Sequence, residues 1–250
     1  MSSSPSLRVI ATLSVALPLA VLFARLGAWQ LSRLDERQAH NVLLEARLAD
    51  TVAAFASLPP DTAAGHYRRG RAAGSYLYDR EVVWAPRMRR GSPGVNFLTP
   101  LRISGSDTVL MVNRGWAYSP DARSVEFARW READSARVTG YVETWTQECG
   151  DSAGAAFPGS CGDSSARALR RLDRSAVERL VGKPVYPYLL MQTSDSALRA
   201  DSVPARVGEP VLDEGPHRGY AFQWFAFALI ALVGGSALAI REHRRPAVTP

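Results

Sequence analysis

The chain has 250 residues, 30 of them basic and 24 acidic, for a formal net charge of +6. The excess is carried by arginines dispersed along the chain, with Lys183 the only lysine, so no basic stripe of the kind that follows a phosphate backbone exists and nucleic acid is not an expected partner. Hydrophobic residues make up 46% and pool at the two ends, which excludes a simple soluble domain.

"VIATLSVALPLAVLFA" (Val9 to Ala24) has no charge, and with Arg25 snorkelling the apolar segment reaches Leu31. Residues 7–31 are predicted to be a transmembrane helix, with Trp29 at the interface. A cleaved signal peptide is the competing reading, but Arg25 and Leu26 spoil the small-x-small pattern that cleavage requires. Good helix formers from Asp35 to Asp50 continue the helix outward, and "SLPP" (Ser57 to Pro60) is its expected stop.

The pattern then changes to short β-rich runs separated by Gly, Pro, Ser and Asp: "YRRGRAAGSYLY", "EVVWAPRM", "GVNFLTPLRI", "DTVLMVNRGWAY", "ARVTGYVETW" and, later, "VYPYLLMQTS". "DRSAVERLVG" predicts a helix capped by Asp173 or Ser175 and stopped by Gly182. Asn113, Arg114, Gly115 and Trp116 read as a turn after "VLMV". In that turn Gly115 permits a positive φ and Arg114 pairs with a buried carboxylate; the alternative is a contact surface for a partner. Cys149 and Cys161 flank a Gly/Ser/Ala-rich insertion and are predicted to form a disulfide, worth about 3 kcal/mol by loop closure. A copper or redox dithiol is the alternative, though eleven intervening residues match neither a CxxC motif nor a compact metal clip.

Tyr220 to Ile240 is again free of charge and is followed by "REHRR". Residues 219–240 are the second predicted span and 241–250 a basic cytoplasmic tail. Both termini are then cytoplasmic, and residues 32–218 form one extracytoplasmic domain. The fold class is an α+β membrane protein: a two-helix transmembrane hairpin flanking a domain with a mostly antiparallel β-sheet or small barrel and short helices. Small residues recur every fourth position in both spans, at Ala16, Ala20, Ala24 and at Ala231, Gly235, Ala239, which favours close helix pairing.

No nucleophile elbow, zinc-protease, dinucleotide or P-loop motif is present, so the chain is not expected to be an enzyme. His40 and His66 are expected on a solvated surface, and His243 in the basic tail. His217 differs because it opens the second span. Helical spacing lines it up with Tyr220, Trp224 and Phe227, while Gln223 lies in the same first turns. Arg25, Trp29 and Gln30 of the first span fall at a similar depth, and Arg218 is adjacent. A neutral imidazole can ligate haem iron, guanidinium groups suit propionates, and aromatic rings can cover a macrocycle. An interfacial belt that binds nothing accounts for the same residue types.

Four blocks occur in order: "LGAWQLSRLDER" (Leu26 to Arg37), "GVNFLTPL" (Gly94 to Leu101), "VLMVNRGWAY" (Val109 to Tyr118) and "HRGYAFQWFAFA" (His217 to Ala228). With the two-span topology, they resemble the Surfeit locus protein 1 family, membrane proteins that assist assembly of haem-copper cytochrome c oxidase. The resemblance implies binding of haem a, with His217 as the residue implicated in holding it. It also implies the catalytic oxidase subunit as partner, and haem a synthase as a further one. A haem-free chaperone or structural subunit is the alternative. Arg218 stands where the family commonly has leucine. The lack of an Arg-rich presequence before Val9 points to a bacterial plasma membrane.

Overall fold

Helix α1 (Leu7–Ala49) opens the chain as one run of 43 residues. The structure is a computed structural model that describes residues 7–145, 167–193 and 203–244. Cys149 and Cys161, and with them the predicted disulfide, lie outside the described residues. Two compact units are present: one built from residues up to Leu43 and from Leu212 onward, the other from Leu44–Val211.

The first unit pairs α1 with the last helix, which closes the chain and is described below as α4. Both helices are long and apolar enough to cross a membrane. The small-residue stripes predicted from sequence meet: a Cβ placed on Gly235 would overlap Ala16, and Ala20, Gly235 and Ala239 are all buried. Close backbone approach at such positions replaces the hydrophobic drive that lipid removes.

The second unit is a sheet domain. After α1 come β1 (Ala53–Ala54), the one-turn α2 (Thr62–Gly65), β2 (Arg69–Tyr76), β3 (Val82–Arg89), β4 (Ser92–Arg102), β5 (Val109–Tyr118), β6 (Ser135–Thr144), β7 (Ala168–Leu169), α3 (Arg174–Val181) and β8 (Val185–Gln192). The last element, α4 (His217–Arg244), belongs to the first unit. The sheet order is β1-β2-β6-β8-β5-β4-β3-β7, and β2 also pairs with β4 through Ser75↔Arg102 and Tyr76↔Leu101. That extra pairing closes β2, β6, β8, β5 and β4 into a small barrel, antiparallel except between β5 and β8.

Alternation along the strands sorts the core. Tyr76, Leu101, Leu110, Val112, Val138, Val142 and Leu190 supply one buried cluster with a contribution from every barrel strand. Their neighbours Val109, Met111, Leu189 and Met191 face the other way and pack under Val177 and Val181 of α3. Because both faces are covered, β5 reads as an unbroken apolar run rather than an alternating one. Asp173 caps α3 by accepting from the Ala176 amide, and Gly182 ends it in the left-handed region at φ 67°, as its sequence predicts.

Three sequence expectations need correction. α1 ends at Ala49, within one residue of the expected Asp50, but its stop is not the proline pair, since β1 and its pairing with β2 come between. The Asn113–Trp116 stretch is not a turn but lies inside β5. There Phe97 pairs with Gly115 and Leu98 with Asn113, leaving Arg114 as the extra residue of a bulge. His66 is not a solvated histidine: its Nε2 stands 2.6 Å from Glu143 Oε1, off the line of a hydrogen bond, and its ring lies on Tyr67.

Candidate functional site

Two clusters carry the sequence-predicted residues, one in each unit. In the helical unit, the chain enters α4 through Gly215, whose φ of +73° and amide bond to Asp213 shape the turn before Pro216 and His217. The face that α4 turns toward α1 contains His217, Ala221, Trp224, Ala228, Ala231 and Gly235. This corrects the predicted stripe, since Tyr220 and Gln223 are exposed and Ala221 takes the position expected for Tyr220. A three-residue and a four-residue step are equally helical; the small side chain is the one that fits against α1.

His217 Nδ1 lies 2.7 Å from Oε1 of the buried Gln30. An amide oxygen only accepts, so Nδ1 carries a proton, and in the neutral imidazole Nε2 then presents a lone pair. No described residue bonds Nε2, and a Cβ at Gly215 would lie only 3.4 Å from it, so glycine leaves the approach open. Below this pair Trp224 stacks on Phe23, and the Phe225 ring covers Gly27, where any Cβ would collide with it. On the other side Glu214 accepts from Gln38 Nε2 at 2.9 Å and from Arg218 Nη2 at 3.2 Å, tying the start of α4 to α1. Of the predicted residues, the structure brings Gln30 and His217 into contact, with Trp224 on the same face of α4 but packed on Phe23. Arg25, Trp29, Arg218, Tyr220 and Gln223 are exposed around them.

The second cluster is polar and buried. Arg114 and Glu81 have no exposed surface. Arg114 Nη2 donates to Glu81 Oε1 at 2.5 Å and Nε to Thr99 Oγ1 at 2.7 Å, while Thr99 itself bonds Glu81. Nη1 reaches Glu132 Oε1 at 2.7 Å and the Trp130 carbonyl at 2.8 Å. Arg206 closes the set by pairing with Glu132 and donating to the Arg114 carbonyl at 2.7 Å. Burial works to raise the Glu132 carboxyl, but Arg206 and Arg114 outweigh it and hold it below its ordinary value. Asn113 Oδ1 accepts from the Gly115 amide at 3.1 Å, fixing the bulge. Trp116 exchanges two backbone bonds with Ala205, which puts the 203–208 segment against β5.

Asn113 and Arg114 therefore spend their polar groups inside the domain and present no surface to a partner. The arrangement is an ion network in which each side chain has at least one charged partner, although Glu81 Oε2 and Arg206 Nε stay unpaired among the described residues; nothing in it pairs a nucleophile with a base. Sequence reading missed Glu81, Glu132 and Arg206, which lie 33, 18 and 92 residues from Arg114. The only local signal was Glu81 at the head of an apolar strand run. Gly94 and Thr99 of the "GVNFLTPL" block also acquire roles. Gly94 leaves room for the Trp116 indole, and Thr99 is the hydroxyl link between Arg114 and Glu81.

A model of the SURF1 family matches residues 17–229 of the chain. A SURF1-like protein of Monosiga brevicollis is 29% identical over 127 residues, 47% of this chain and 49% of that protein. The chain thus spans about half the length of the curated relative it matches.

Proposed function

Because the chain belongs to the SURF1 family, we propose that it is a non-catalytic assembly factor for haem-copper cytochrome c oxidase that holds haem a at His217 and aids its insertion into the catalytic subunit. The observation that carries this reading is the Gln30–His217 hydrogen bond, which engages Nδ1 and leaves Nε2 of the neutral imidazole free to ligate. Histidines that ligate metals commonly donate their other ring proton to a carbonyl or carboxylate, and Gln30 supplies that acceptor. Haem a, when bound, would supply an iron able to take an imidazole nitrogen.

The chain's own residues fit such a group. Gly215 keeps the imidazole edge uncovered, and about two turns further along α4 Trp224 and Phe23 stack into an apolar surface. Arg25 is exposed and has no acid partner among the described residues, so it is the guanidinium left for a propionate. Arg218, held by Glu214, instead stabilises the entry to α4. Trp29, Tyr220 and Gln223 stand at the membrane interface.

The same reading sets α1 and α4 across a bacterial plasma membrane. Arg241 and Arg244 in the last turn of α4 keep the tail cytoplasmic, and the sheet domain lies on the extracytoplasmic side. The test is complementation of a strain lacking this chain. Wild type should restore the haem a content of the oxidase, and His217→Ala should leave it low at equal expression. Full restoration by His217→Ala would overturn the haem reading in favour of a haem-free chaperone.

A further inference from the structure

Just before α4 the chain forms a short strap, residues 212–216, none of which is fully buried. Glu214 ties this strap to both long helices. Its Oε1 accepts from Gln38 Nε2 of α1 at 2.9 Å, and its Oε2 accepts from Arg218 Nη2 of α4 at 3.2 Å. The Arg218 bond is exposed, and the bond from the Gly215 amide to Asp213 Oδ1 is internal to the strap. A segment with little buried contact opens at low cost, so a few side-chain bonds decide whether it stays closed.

The strap matters because of what Gly215 stands beside. A Cβ there would lie 3.3 Å from Cδ2 and 3.4 Å from Nε2 of His217, almost equidistant from the two. The strap backbone therefore runs alongside the Cδ2–Nε2 edge of the imidazole and not behind the ring. Glycine has no side chain to block the Nε2 lone pair, so a single ligand atom can approach it. A macrocycle makes a larger demand. It is a rigid disc, wide compared with an imidazole, and with its metal on Nε2 it extends sideways past that same edge. Disc and strap then claim the same space.

We propose that residues 212–216 are an autoinhibitory strap, clasped by Glu214 to Gln38 and Arg218, that must swing aside before a haem settles on His217. The inference rests on the haem reading of His217. A site competent in only a fraction of molecules binds more weakly by that fraction. The clasp thus lowers the affinity of the site without touching the ligand, and its reclosure favours release. A protein that hands its cargo on gains from this, whereas one that keeps its haem does not.

The test uses the haem-free, full-length chain in detergent. Haem a is titrated into it, and the association rate is followed by absorbance. Glu214→Ala is expected to bind haem a roughly tenfold more tightly than wild type, through faster association with dissociation unchanged. Glu214→Gln keeps an acceptor for Gln38 and should stay nearer wild type. Hydrogen exchange of residues 212–216 without haem should be faster in Glu214→Ala. Circular dichroism identifies folded variants, and Gln38→Ala opens the same clasp from α1 if Glu214→Ala does not fold. Equal or weaker haem binding in the folded clasp variant, or unchanged exchange of the strap, would overturn the proposal while leaving the haem reading intact. A wild-type protein that binds no haem a would overturn the haem reading, and the strap's role with it.

Discussion

Gln30 Oε1 and His217 Nδ1 meet at 2.7 Å although 187 residues separate them in the chain. One atom of α1 thereby fixes which nitrogen of the α4 imidazole is free. The separation is bridged by the pairing of Ala16 with Gly235, and by Glu214 holding Gln38 and Arg218. The helical unit is therefore a positioning device as much as an anchor.

Replacing Gln30 with alanine should release the imidazole from a single tautomer while leaving both helices intact. Nitrogen NMR of histidine-labelled protein is expected to show a protonated Nδ1 for His217 in wild type and a mixture in Gln30→Ala. Haem affinity should fall about 10–100-fold, the usual effect of removing the partner of a ligating histidine. An unchanged tautomer in Gln30→Ala would show that the amide does not set it.

The Arg114–Glu81 pair has no exposed surface. Arg114→Ala strands a carboxylate in the core and should destabilise the domain by about 3–5 kcal/mol in denaturant unfolding. The double change Arg114→Met with Glu81→Leu removes both charges and should recover most of that loss. If the double variant is as unstable as the single, the pair is itself a net source of stability.

Glu132 gives the domain an acid-sensitive component. Its carboxyl is held below its ordinary 4.5 by Arg206 and Arg114 despite burial. A depressed folded value means the stabilisation is complete above 4.5 and is lost as pH falls through the lower folded value. Melting temperature measured from pH 6 to pH 3 should drop more steeply in wild type than in Glu132→Gln, which starts lower and has a flatter profile.

Gly115 combines a φ of +127° with close approach of the Ala205 carbonyl, which a Cβ would overlap. Gly115→Ala should cost about 1–3 kcal/mol and detach the 203–208 segment from β5. Hydrogen exchange is the readout: the Ala205 and Trp116 amides, protected in wild type by their mutual bonds, should exchange faster in the variant.

Much of the fold is legible in the sequence because its signals are local. The apolar runs ending at Leu31 and Ile240 mark both long helices, and Asp173 and Gly182 bracket α3. β1 and β7, two residues each, are too short to leave a pattern. What failed was information held by a partner. Whether Tyr220 or Ala221 faces α1 depends on the surface of α1, not on helical spacing. Whether Asn-Arg-Gly is a turn or a bulge depends on the register of β4 against β5. Glu81 gives no hint of Arg114 in sequence, because a charge buried among β-branched neighbours reads the same whether its partner is near or 33 residues away. At the candidate haem site, residue types were legible and contacts were not: Gln30 was read only by depth, and Gln38 and Glu214 were not read at all.

The central claim is that His217 holds haem iron, and the absorption spectrum of the purified full-length protein tests it most directly. Protein isolated from cells that make haem a should show a haem a spectrum in wild type, lost or strongly shifted in His217→Ala at equal yield. A wild-type protein that never carries haem, or a spectrum unchanged by His217→Ala, would contradict the assignment.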